Sequence, residues 1–235
     1  MIRRLAIIPA RGGSKRILNK NTRDFCGKPM ISYVLQAAKD SGLFDLIHVS
    51  TDSKEIKDTV ENLGIHIDFL RSPELADDHT PIMPVLKFVT ESYASRGEFF
   101  DQVWLLMACS PLIEYTDLQQ AAKLFDQSAG NKSLIAITEY PVPIEWAFTL
   151  KEDGTLNPVQ PGMFSVRSQD LGKKYFDAGM FVVYLSTSVQ TSEGAGSDSD
   201  FIGYPLPKSK AIDIDDEADW AIAEALYRAR YLNYK

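Results

Sequence analysis

Cysteine, histidine and long apolar stretches are scarce in this sequence, and each scarcity excludes a class of protein. The two cysteines, Cys26 and Cys109, are too few for a disulfide framework, and we expect both to be reduced. The three histidines form no cluster with the ligand spacing of a zinc site. No stretch approaches the ~20 consecutive apolar residues of a membrane span, and the first apolar run stops at Pro9, too early for a signal peptide. We therefore expect a cytoplasmic protein with no membrane partner.

Positive charge is also scarce overall, but it is concentrated near the start of the chain. The formal net charge is −7, yet residues 1–30 carry eight Lys or Arg side chains against one acid, Asp24. An acidic protein has no general attraction for nucleic acid or anionic lipid, so we expect no nucleic-acid partner. The local excess of cations favours a small phosphorylated molecule as the ligand.

These cations surround a loop that follows the first apolar run. The sequence from Ile7 to Asn21 reads IIPARGGSKRILNKN. Gly12 and Gly13 lack a Cβ atom, so their backbone N–H groups can closely approach a ligand. The cations of the loop are Arg11, Lys15, Arg16 and Lys20. This composition predicts a phosphate site, with a surface turn that is basic by chance as the alternative. The spacing matches neither a Walker A loop nor a dinucleotide-binding motif.

Strand and helix patterns alternate through the first 139 residues. Apolar, β-rich runs predict strands at 5–8, 46–51, 65–70, 102–108 and 133–138, and helical periodicity predicts helices at 30–38, 54–63, 83–96 and 116–128. The alternation predicts an α/β fold, Rossmann-like and three-layered, with a mostly parallel central sheet. Ligands bind such sheets beyond the carboxyl ends of the strands. There we expect the basic loop to meet residues 50–52, Arg71 and residues 109–111.

The alternation breaks after Glu139. Residues 140–176 are rich in proline, and two short runs around a turn at 152–154 predict a hairpin that leaves the main sheet. The aromatic side chains there are Tyr140, Trp146, Phe148 and Phe164. We interpret this excursion as a subunit interface, with a lid on its own chain as the alternative. The whole chain, 1–235, is predicted to be one domain.

The last part of the chain returns to the sheet and ends in a helix. A strand is predicted at 180–185 and a short mobile loop at 192–200. From Asp216 onward the pattern is that of an amphipathic helix. Its inward face is predicted to carry Trp220, Ile222, Ala223, Leu226 and Tyr227.

Two aspartates, Asp213 and Asp215, lie just before that helix. Residues i and i+2 of an extended segment point to the same side, so both carboxylates face one place. Such a pair suits Mg²⁺, which takes its remaining ligands from water and substrate phosphates. With the basic loop, the pair indicates metal-assisted phosphoryl or nucleotidyl transfer. The alternative is N-capping of the helix by Asp215 or Asp216, and the same spacing at Asp198 and Asp200 is read as a solvated loop.

Other reactive side chains give weaker signals. His48 and His66 lie in predicted strands and are interpreted as structural, whereas His79 in the loop 71–81 is a candidate for approaching a ligand. Cys109 has no nucleophile signature and is interpreted as a small buried residue.

Five further segments accompany the basic loop in a recognisable order. They are VSTDS (49–53), RSPELADDHT (71–80), LLMACSPL (105–112), FDAGMF (176–181) and AIDIDDEADW (211–220). With the loop they make nearly the whole chain resemble the CMP-sialic acid synthetase (acylneuraminate cytidylyltransferase) family. Within that family the chain is most similar to the pseudaminic acid cytidylyltransferases, because Arg16 stands where sialic acid synthetases usually have glycine. The resemblance implies a GT-A-like nucleotidyltransferase fold.

The resemblance also implies a reaction. CMP would pass from CTP to the anomeric hydroxyl of a nonulosonic acid, with release of pyrophosphate and no covalent enzyme intermediate. Asp213 and Asp215 would hold Mg²⁺, with Mn²⁺ as a substitute, and residues 140–176 would form a homodimer. Pseudaminic acid is the expected acceptor; legionaminic, N-acetylneuraminic and 3-deoxyoctulosonic acids are alternatives. A D-x-D glycosyltransferase and a nucleotide-binding regulatory module are the alternatives from other classes.

Individual roles follow from the motif match. The implied nucleotide-binding residues are Ala10, Arg11, Gly12, Gly13, Ser14, Lys15, Asn21, Arg71 and Thr80, and the implied catalytic cations are Lys20, Arg11 and Lys15. The implied sugar-binding residues are Met107, Cys109, Ser110, Asp177 and Gly179. Met107 replaces a sugar-binding glutamine, and because a thioether cannot donate to a hydroxyl, it argues against N-acetylneuraminic acid. Leu18, Cys109 and Met180 are further departures from the family pattern.

Overall fold

The computed structural model describes residues 2–77, 79–128, 132–192 and 200–232. The strands of this part of the chain are β1 (Arg4–Pro9), β2 (Asp24–Phe25), β3 (Lys28–Pro29), β4 (Leu46–Ser50), β5 (Gln102–Leu106), β6 (Ser133–Glu139), β7 (Phe148–Leu150), β8 (Leu156–Pro158), β9 (Tyr175–Leu185) and β10 (Phe201–Pro205). Its α-helices are α1 (Ile31–Ser41), α2 (Lys54–Asn62), α3 (Ile82–Ala94), α4 (Tyr115–Gln127), α5 (Ser186–Thr191) and α6 (Glu217–Tyr231). None of these helices has the length and apolar character needed to cross a lipid bilayer.

Six strands form the main sheet in the order β10-β6-β9-β5-β1-β4. Neighbouring strands are parallel except at β9, which runs antiparallel to both β5 and β6. The predicted mostly parallel α/β sheet is therefore confirmed, with one reversed strand near its centre. The reversal brings the start of β9 to the edge where β5 ends, since Leu106 pairs with Phe181.

Helices cover both faces of the sheet, which confirms the three layers. The strands are apolar on both sides: Leu5, Ile7 and Ile8 of β1 are fully buried. On one face, α1, α2 and α4 pack over a core that contains Trp104. On the other face, α3 and α5 pack over a smaller core that contains Leu5 and Ile7.

A third apolar cluster lies under the loop that follows β1. Ile17 of this loop, Phe25 and Ile214 are buried against Trp220 and Ala223 of α6. α6 begins with a capping box, in which Asp216 accepts hydrogen bonds from the N–H groups of residues 218 and 219. Asp216 is thus the cap, and both members of the Asp213–Asp215 pair are left for another role.

Several predicted elements differ from the structure. Residues 65–70 form no strand: Ile67 is buried, but the segment makes no ladder with the edge strand β4. The pattern predicts Thr116 as the N-cap of α4, which is wrong by two residues: Glu114 is the N-cap, it forms a capping box with Asp117, and Thr116 lies inside the helix. Ile222 is 51% exposed and does not face inward. Strands β2, β3 and β10 and helix α5 have no counterpart in the prediction.

The excursion after β6 contains a hairpin near the predicted position. Strands β7 and β8 pair antiparallel with each other and form a separate two-stranded sheet. The side chains of both strands are exposed. Asp198 and all but the ends of the predicted loop 192–200 lie outside the described residues.

Candidate active site

A cleft opens at the carboxyl ends of β1 and β5 and at the start of β9. It collects residues from the basic loop, from the segments after β5 and within β9, and from the segment before α6. Its predicted site residues are Arg11, Ser14, Lys15, Lys20, Asn21, Met107, Cys109, Gly179, Asp213 and Asp215. Residues far apart in sequence meet here because parallel strands end at a common edge and the antiparallel β9 begins there.

The basic loop is held against the end of β4. The N–H of Ala10 donates to the carbonyl of Ser50 at 2.9 Å, which continues the β1–β4 pairing by one residue. The N–H of Gly12 donates to the Asp52 carboxylate, also at 2.9 Å. A Cβ atom at Gly12 would lie 2.9 Å from that of Ser53, whereas one at Gly13 would meet nothing within 4 Å. Close packing thus requires glycine at the first of these positions.

Asn21 and Cys109 form the inner wall of the cleft. Asn21 is 7% exposed and donates from Nδ2 to the carbonyl of Arg11 at 3.1 Å. The Cys109 thiol lies 3.5 Å from Asn21 Oδ1. Burial raises the pKa of Cys109 to about 12, so this thiol is neutral at physiological pH. Asn21 therefore braces the loop as well as lining the cleft.

Two predicted nucleotide-binding residues lie beside the loop. Arg71 is buried and donates to Ser50 twice, from Nε to Oγ at 3.0 Å and from Nη2 to the carbonyl at 2.6 Å. Burial lowers the pKa of Arg71 to about 10. Thr80 donates from Oγ1 to Asp77 at 2.8 Å, and Arg11 donates to the Asp77 carbonyl at 2.9 Å. Arg11 therefore ties the basic loop to the segment 71–80.

The two aspartates face the cleft because the residue between them points the other way. Ile214 is fully buried, which turns Asp213 and Asp215 outward as the i, i+2 alternation predicts. Although Asp213 is solvent-accessible, the protein atoms packed around its carboxylate raise its pKa, and the neighbouring Asp215 raises it further. A Cβ atom at Gly179, where φ is +66°, would approach Asp213 to 3.2 Å.

Cations reach the second aspartate from the basic loop. Arg16 donates from Nη2 to Asp215 Oδ1 at 2.8 Å, and Lys20 Nζ lies 4.0 Å from the same oxygen. The buried side chain of Ile17 holds this part of the loop over α6. The Arg16–Asp215 contact could not be read from the sequence, because 199 positions separate the two residues.

The implied sugar-binding residues differ in how deeply their side chains are buried. Met107 is 38% exposed on the cleft wall, and its N–H donates to the carbonyl of Met180 at 2.9 Å. Ser110 is buried beside the cleft, and within the described part of the chain its Oγ has no hydrogen-bond partner. Asp177 accepts a hydrogen bond from the N–H of Gly179 at 2.9 Å, which stabilises the part of β9 that borders the cleft.

None of the three histidines is among the residues that line the cleft in the described structure. His48 is fully buried beside Tyr93, and its Nδ1 lies 2.9 Å from the Tyr93 hydroxyl, which donates to Asp68 at 2.8 Å. His48 is therefore structural, as predicted. The side chains of His66 and His79 are exposed.

One group that supports the site was missed from the sequence. Lys210 is buried and donates to Asp117 at 2.7 Å and to Glu114 at 2.6 Å, while Arg230 reaches Glu114 at 2.8 Å. These contacts lower the pKa of Glu114 to about 2, against the opposing effect of its partial burial. These contacts attach the segment before Asp213 to the start of α4, and they attach the start of α4 to the end of α6. A lone lysine in a loop carries no pattern that could have revealed this cluster.

The described residues contain no group of three or more His, Cys, Asp or Glu side chains that could hold a metal ion. The Asp213–Asp215 pair nevertheless has the donor chemistry that Mg²⁺ prefers, since its further ligands usually come from water and substrate phosphates. Burial and the neighbouring Asp215 raise the pKa of Asp213, and a divalent cation beside both carboxylates would favour their charged forms. The donor chemistry of the pair thus fits a divalent cation that takes its remaining ligands from elsewhere.

Comparison with known proteins places the chain in a family. A model of the cytidylyltransferase family matches residues 5–142. The chain is 38% identical to the pseudaminic acid cytidylyltransferase of Campylobacter jejuni over 98% of both chains. It is 31% identical to the CMP-N,N'-diacetyllegionaminic acid synthase of Legionella pneumophila over 96% of both chains.

A solved structure supports the same fold. CMP:2-keto-3-deoxy-manno-octonic acid synthetase, complexed with CTP, matches with a TM-score of 0.70 and 17% identity, over 97% of this chain and 99% of that one. This likeness confirms the predicted nucleotidyltransferase fold. With the family match over more than half of the chain, it confirms the resemblance found in the motifs: this protein belongs to the cytidylyltransferase family of enzymes.

Proposed function

We propose that this protein transfers CMP from CTP to the anomeric hydroxyl of a nonulosonic acid and releases pyrophosphate. Pseudaminic acid is the proposed acceptor. The observation that carries the proposal is the cleft itself, where a basic glycine loop faces a pair of carboxylates. The relatives named above act on pseudaminic and diacetyllegionaminic acids according to their names, and the 38% identity favours the first.

The basic loop is the proposed triphosphate site. Arg11, Ser14 and Lys15 line the cleft side by side. Arg11 donates to the Asp77 carbonyl and Thr80 donates to the Asp77 carboxylate, which supports assigning both segments to the nucleotide site. A wall of cations and hydroxyls matches the charge and the acceptor oxygens of a nucleoside triphosphate.

Lys20 is the proposed catalytic cation. Its side chain is 21% exposed and its Nζ lies near Asp215, so its position is set before the substrates bind. When the sugar hydroxyl attacks the α-phosphorus and pyrophosphate leaves, negative charge spreads over the phosphate oxygens, and a fixed cation stabilises that charge. The neutral thiol of Cys109 is a poor nucleophile, which agrees with direct transfer and no covalent enzyme intermediate.

Asp213 and Asp215 are the proposed ligands of Mg²⁺, with Mn²⁺ as a substitute. When bound, the ion would neutralise phosphate charge and polarise the phosphoryl oxygens. The apolar Met107 on the cleft wall favours an acceptor that places no hydroxyl there. Because CTP is an intracellular metabolite, we also propose a cytoplasmic location.

A homodimer is proposed through residues 140–176. The exposed apolar side chains of this excursion include Phe148 and Phe164, whose rings lie 5.5 Å apart, and Leu150, which is 73% exposed. Clusters of this kind on a hairpin that stands apart from the sheet are typical of interfaces.

The test measures pyrophosphate release from CTP and Mg²⁺ with pseudaminic, legionaminic, N-acetylneuraminic or 3-deoxyoctulosonic acid. We expect release with pseudaminic acid. Release with another acid would keep the cytidylyl transfer and change the acceptor. No release with any acid would contradict the proposal, and turnover of a finished sugar nucleotide without pyrophosphate would indicate a glycosyltransferase.

The carboxylate pair is tested by Asp213→Asn. We expect kcat to fall at least about a hundredfold, because an amide holds a divalent cation far more weakly than a carboxylate. The unfolding midpoint should not fall, since the substitution relieves repulsion between the two aspartates. Asp58→Asn, on the exposed face of α2, is the matched control and should leave both values unchanged. Full activity of Asp213→Asn would exclude a role for the pair.

A further inference from the structure

Arg16 occupies one of the two carboxylates that are proposed to hold the metal. Its Nη2 donates to Asp215 Oδ1 at 2.8 Å, the same oxygen that Lys20 approaches to 4.0 Å. A divalent cation bound at this oxygen would have to displace the guanidinium and would be repelled by it at short range. The ion pair therefore competes with the metal for Asp215.

The contact is built into the fold. Ile17 follows Arg16 and Ile214 precedes Asp215, and both isoleucine side chains are buried in one cluster. They hold the loop and the carboxylate segment in register, so that the two charged side chains face each other. The Asp215 backbone is fixed as well, because its N–H donates to Asp219 at 3.0 Å.

The Arg16 side chain can nevertheless leave. It is 68% exposed, and an exposed ion pair of this kind contributes little to stability. Arg16 follows Ser14 and Lys15 in the proposed triphosphate loop and lines the same cleft. A nucleoside triphosphate carries more negative charge than one aspartate and is the stronger partner for a guanidinium.

We propose that Arg16 neutralises Asp215 in the nucleotide-free enzyme and moves to the phosphates when CTP binds, so that the divalent cation enters with the nucleotide and not before it. The inference rests on the proposed nucleotide and metal sites. The coupling is reciprocal: whatever CTP adds to metal affinity, the metal adds to CTP affinity.

The test compares Arg16→Gln with the matched control Arg23→Gln. Arg23 is also a loop cation that forms an ion pair near the start of α6, with Glu217 at 2.6 Å, but it does not contact Asp215. Binding of Mn²⁺ to nucleotide-free protein is followed by the electron paramagnetic resonance of the free ion. Binding of CTP is measured separately by calorimetry in the presence of EDTA.

We expect Arg16→Gln to bind Mn²⁺ about three- to fivefold more tightly than wild type and metal-free CTP about three- to fivefold more weakly, as the loss of one exposed charge contact implies. Arg23→Gln should change neither constant. Opposite signs in the two titrations distinguish an exchange of partners from a structural defect, which would weaken both.

Two failures are distinguishable. Mn²⁺ binding by Arg16→Gln that is no tighter than that of wild type would overturn the role of Arg16, whatever happens to CTP. Absence of CTP binding by the wild-type protein, both in EDTA and with Mg²⁺ present, would overturn the proposed function itself.

Discussion

At the scale of single residues, two adjacent glycines of the basic loop have different requirements. A Cβ atom at Gly12 would lie 2.9 Å from the Cβ of Ser53, which is the N-cap of α2 and cannot move without disturbing that helix. Gly13 has open space around it. The first glycine lets the loop pack closely against the β4–α2 corner, whereas the second only gives the backbone access to a ligand.

We expect Gly12→Ala to raise the KM for CTP about tenfold, because relieving an overpacked contact costs ~1–3 kcal/mol and would shift the phosphate loop. Gly172→Ala, at a glycine outside the cleft where a Cβ would meet only the end of the Lys174 side chain, is the matched control and should change this KM less than threefold. Steady-state kinetics with varied CTP give both values. Equal effects of the two substitutions would contradict the steric explanation.

Burial separates residues that look alike in the sequence. Ser14 and Ser110 were both assigned to the site, yet Ser14 lines the cleft and Ser110 is buried beside it. Arg11 and Arg71 are both cations of the matched motifs, but only Arg71 is enclosed and held by Ser50. Composition predicted these residue types at the site, and only packing determined which of them line the cleft.

At the scale of elements, the excursion 140–176 groups aromatic side chains around its hairpin. The ring of Phe164 contacts those of Trp146 and Phe148, and Phe164 is 67% exposed. The hairpin strands pair only with each other within the described structure. An element so weakly attached to the main sheet is suited to pack on a second subunit.

We therefore expect Phe164→Ser to weaken a homodimer by about tenfold or more in its dissociation constant, because an aromatic side chain buried in an interface contributes ~1–3 kcal/mol. Phe99→Ser is the matched control, since Phe99 is 65% exposed in the loop before β5. Sedimentation velocity over a range of concentrations measures both variants. A monomeric wild-type protein would contradict the dimer proposal.

Whether a segment forms a strand, and in which direction the strand runs, could not always be predicted from local sequence patterns. Residues 65–70 have the composition of a strand, but they lie next to the edge strand β4 without forming a ladder, because backbone pairing depends on a partner's position. The direction of β9 likewise depends on the edge of the sheet at which the preceding segment, 140–174, ends. The excursion returns the chain to the same edge of the sheet where β6 ends, since Glu139 pairs with Tyr175, so β9 runs antiparallel to β6 and β5.

At the scale of the whole molecule, a buried histidine makes stability depend on pH. Burial lowers the pKa of His48 to about 4 from its ordinary value of 6.5, with Asp68 opposing this shift and Arg71 and Arg96 adding to it. Between these two pH values the unfolded chain binds a proton that the folded protein does not. The free energy of unfolding therefore falls as the pH falls through this range.

We expect His48 to account for about 1.4 kcal/mol of the stability lost between pH 7.5 and pH 5.5. His48→Gln keeps a donor for Tyr93 and should reduce the difference between the two pH values by about that amount. His66→Gln, at a side chain that is 76% exposed, is the matched control and should leave the difference unchanged. Urea unfolding followed by tryptophan fluorescence measures the free energy of unfolding at each pH. If the difference between the two pH values is unchanged in His48→Gln, His48 is not the source of the pH dependence.

The sequence by itself determined the features that depend on neighbouring residues. Apolar, β-rich runs and period-3.6 patterns predicted most strands and helices of the three-layer fold. The composition of 7–21 predicted a phosphate loop, and the i, i+2 spacing predicted that Asp213 and Asp215 face one place. The motifs predicted the cytidylyltransferase family, which the comparisons confirm.

Tertiary structure alone decided the features that join distant parts of the chain. The contact of Arg16 with Asp215, the enclosure of Arg71 by Ser50 and the attachment of Lys210 to α4 each link residues that share no local pattern. The antiparallel entry of β9, which brings Gly179 against Asp213, belongs to the same group. The physical reason is common to all four: burial, charge compensation and strand direction are set by which segments are neighbours in space, and sequence separation carries little information about that.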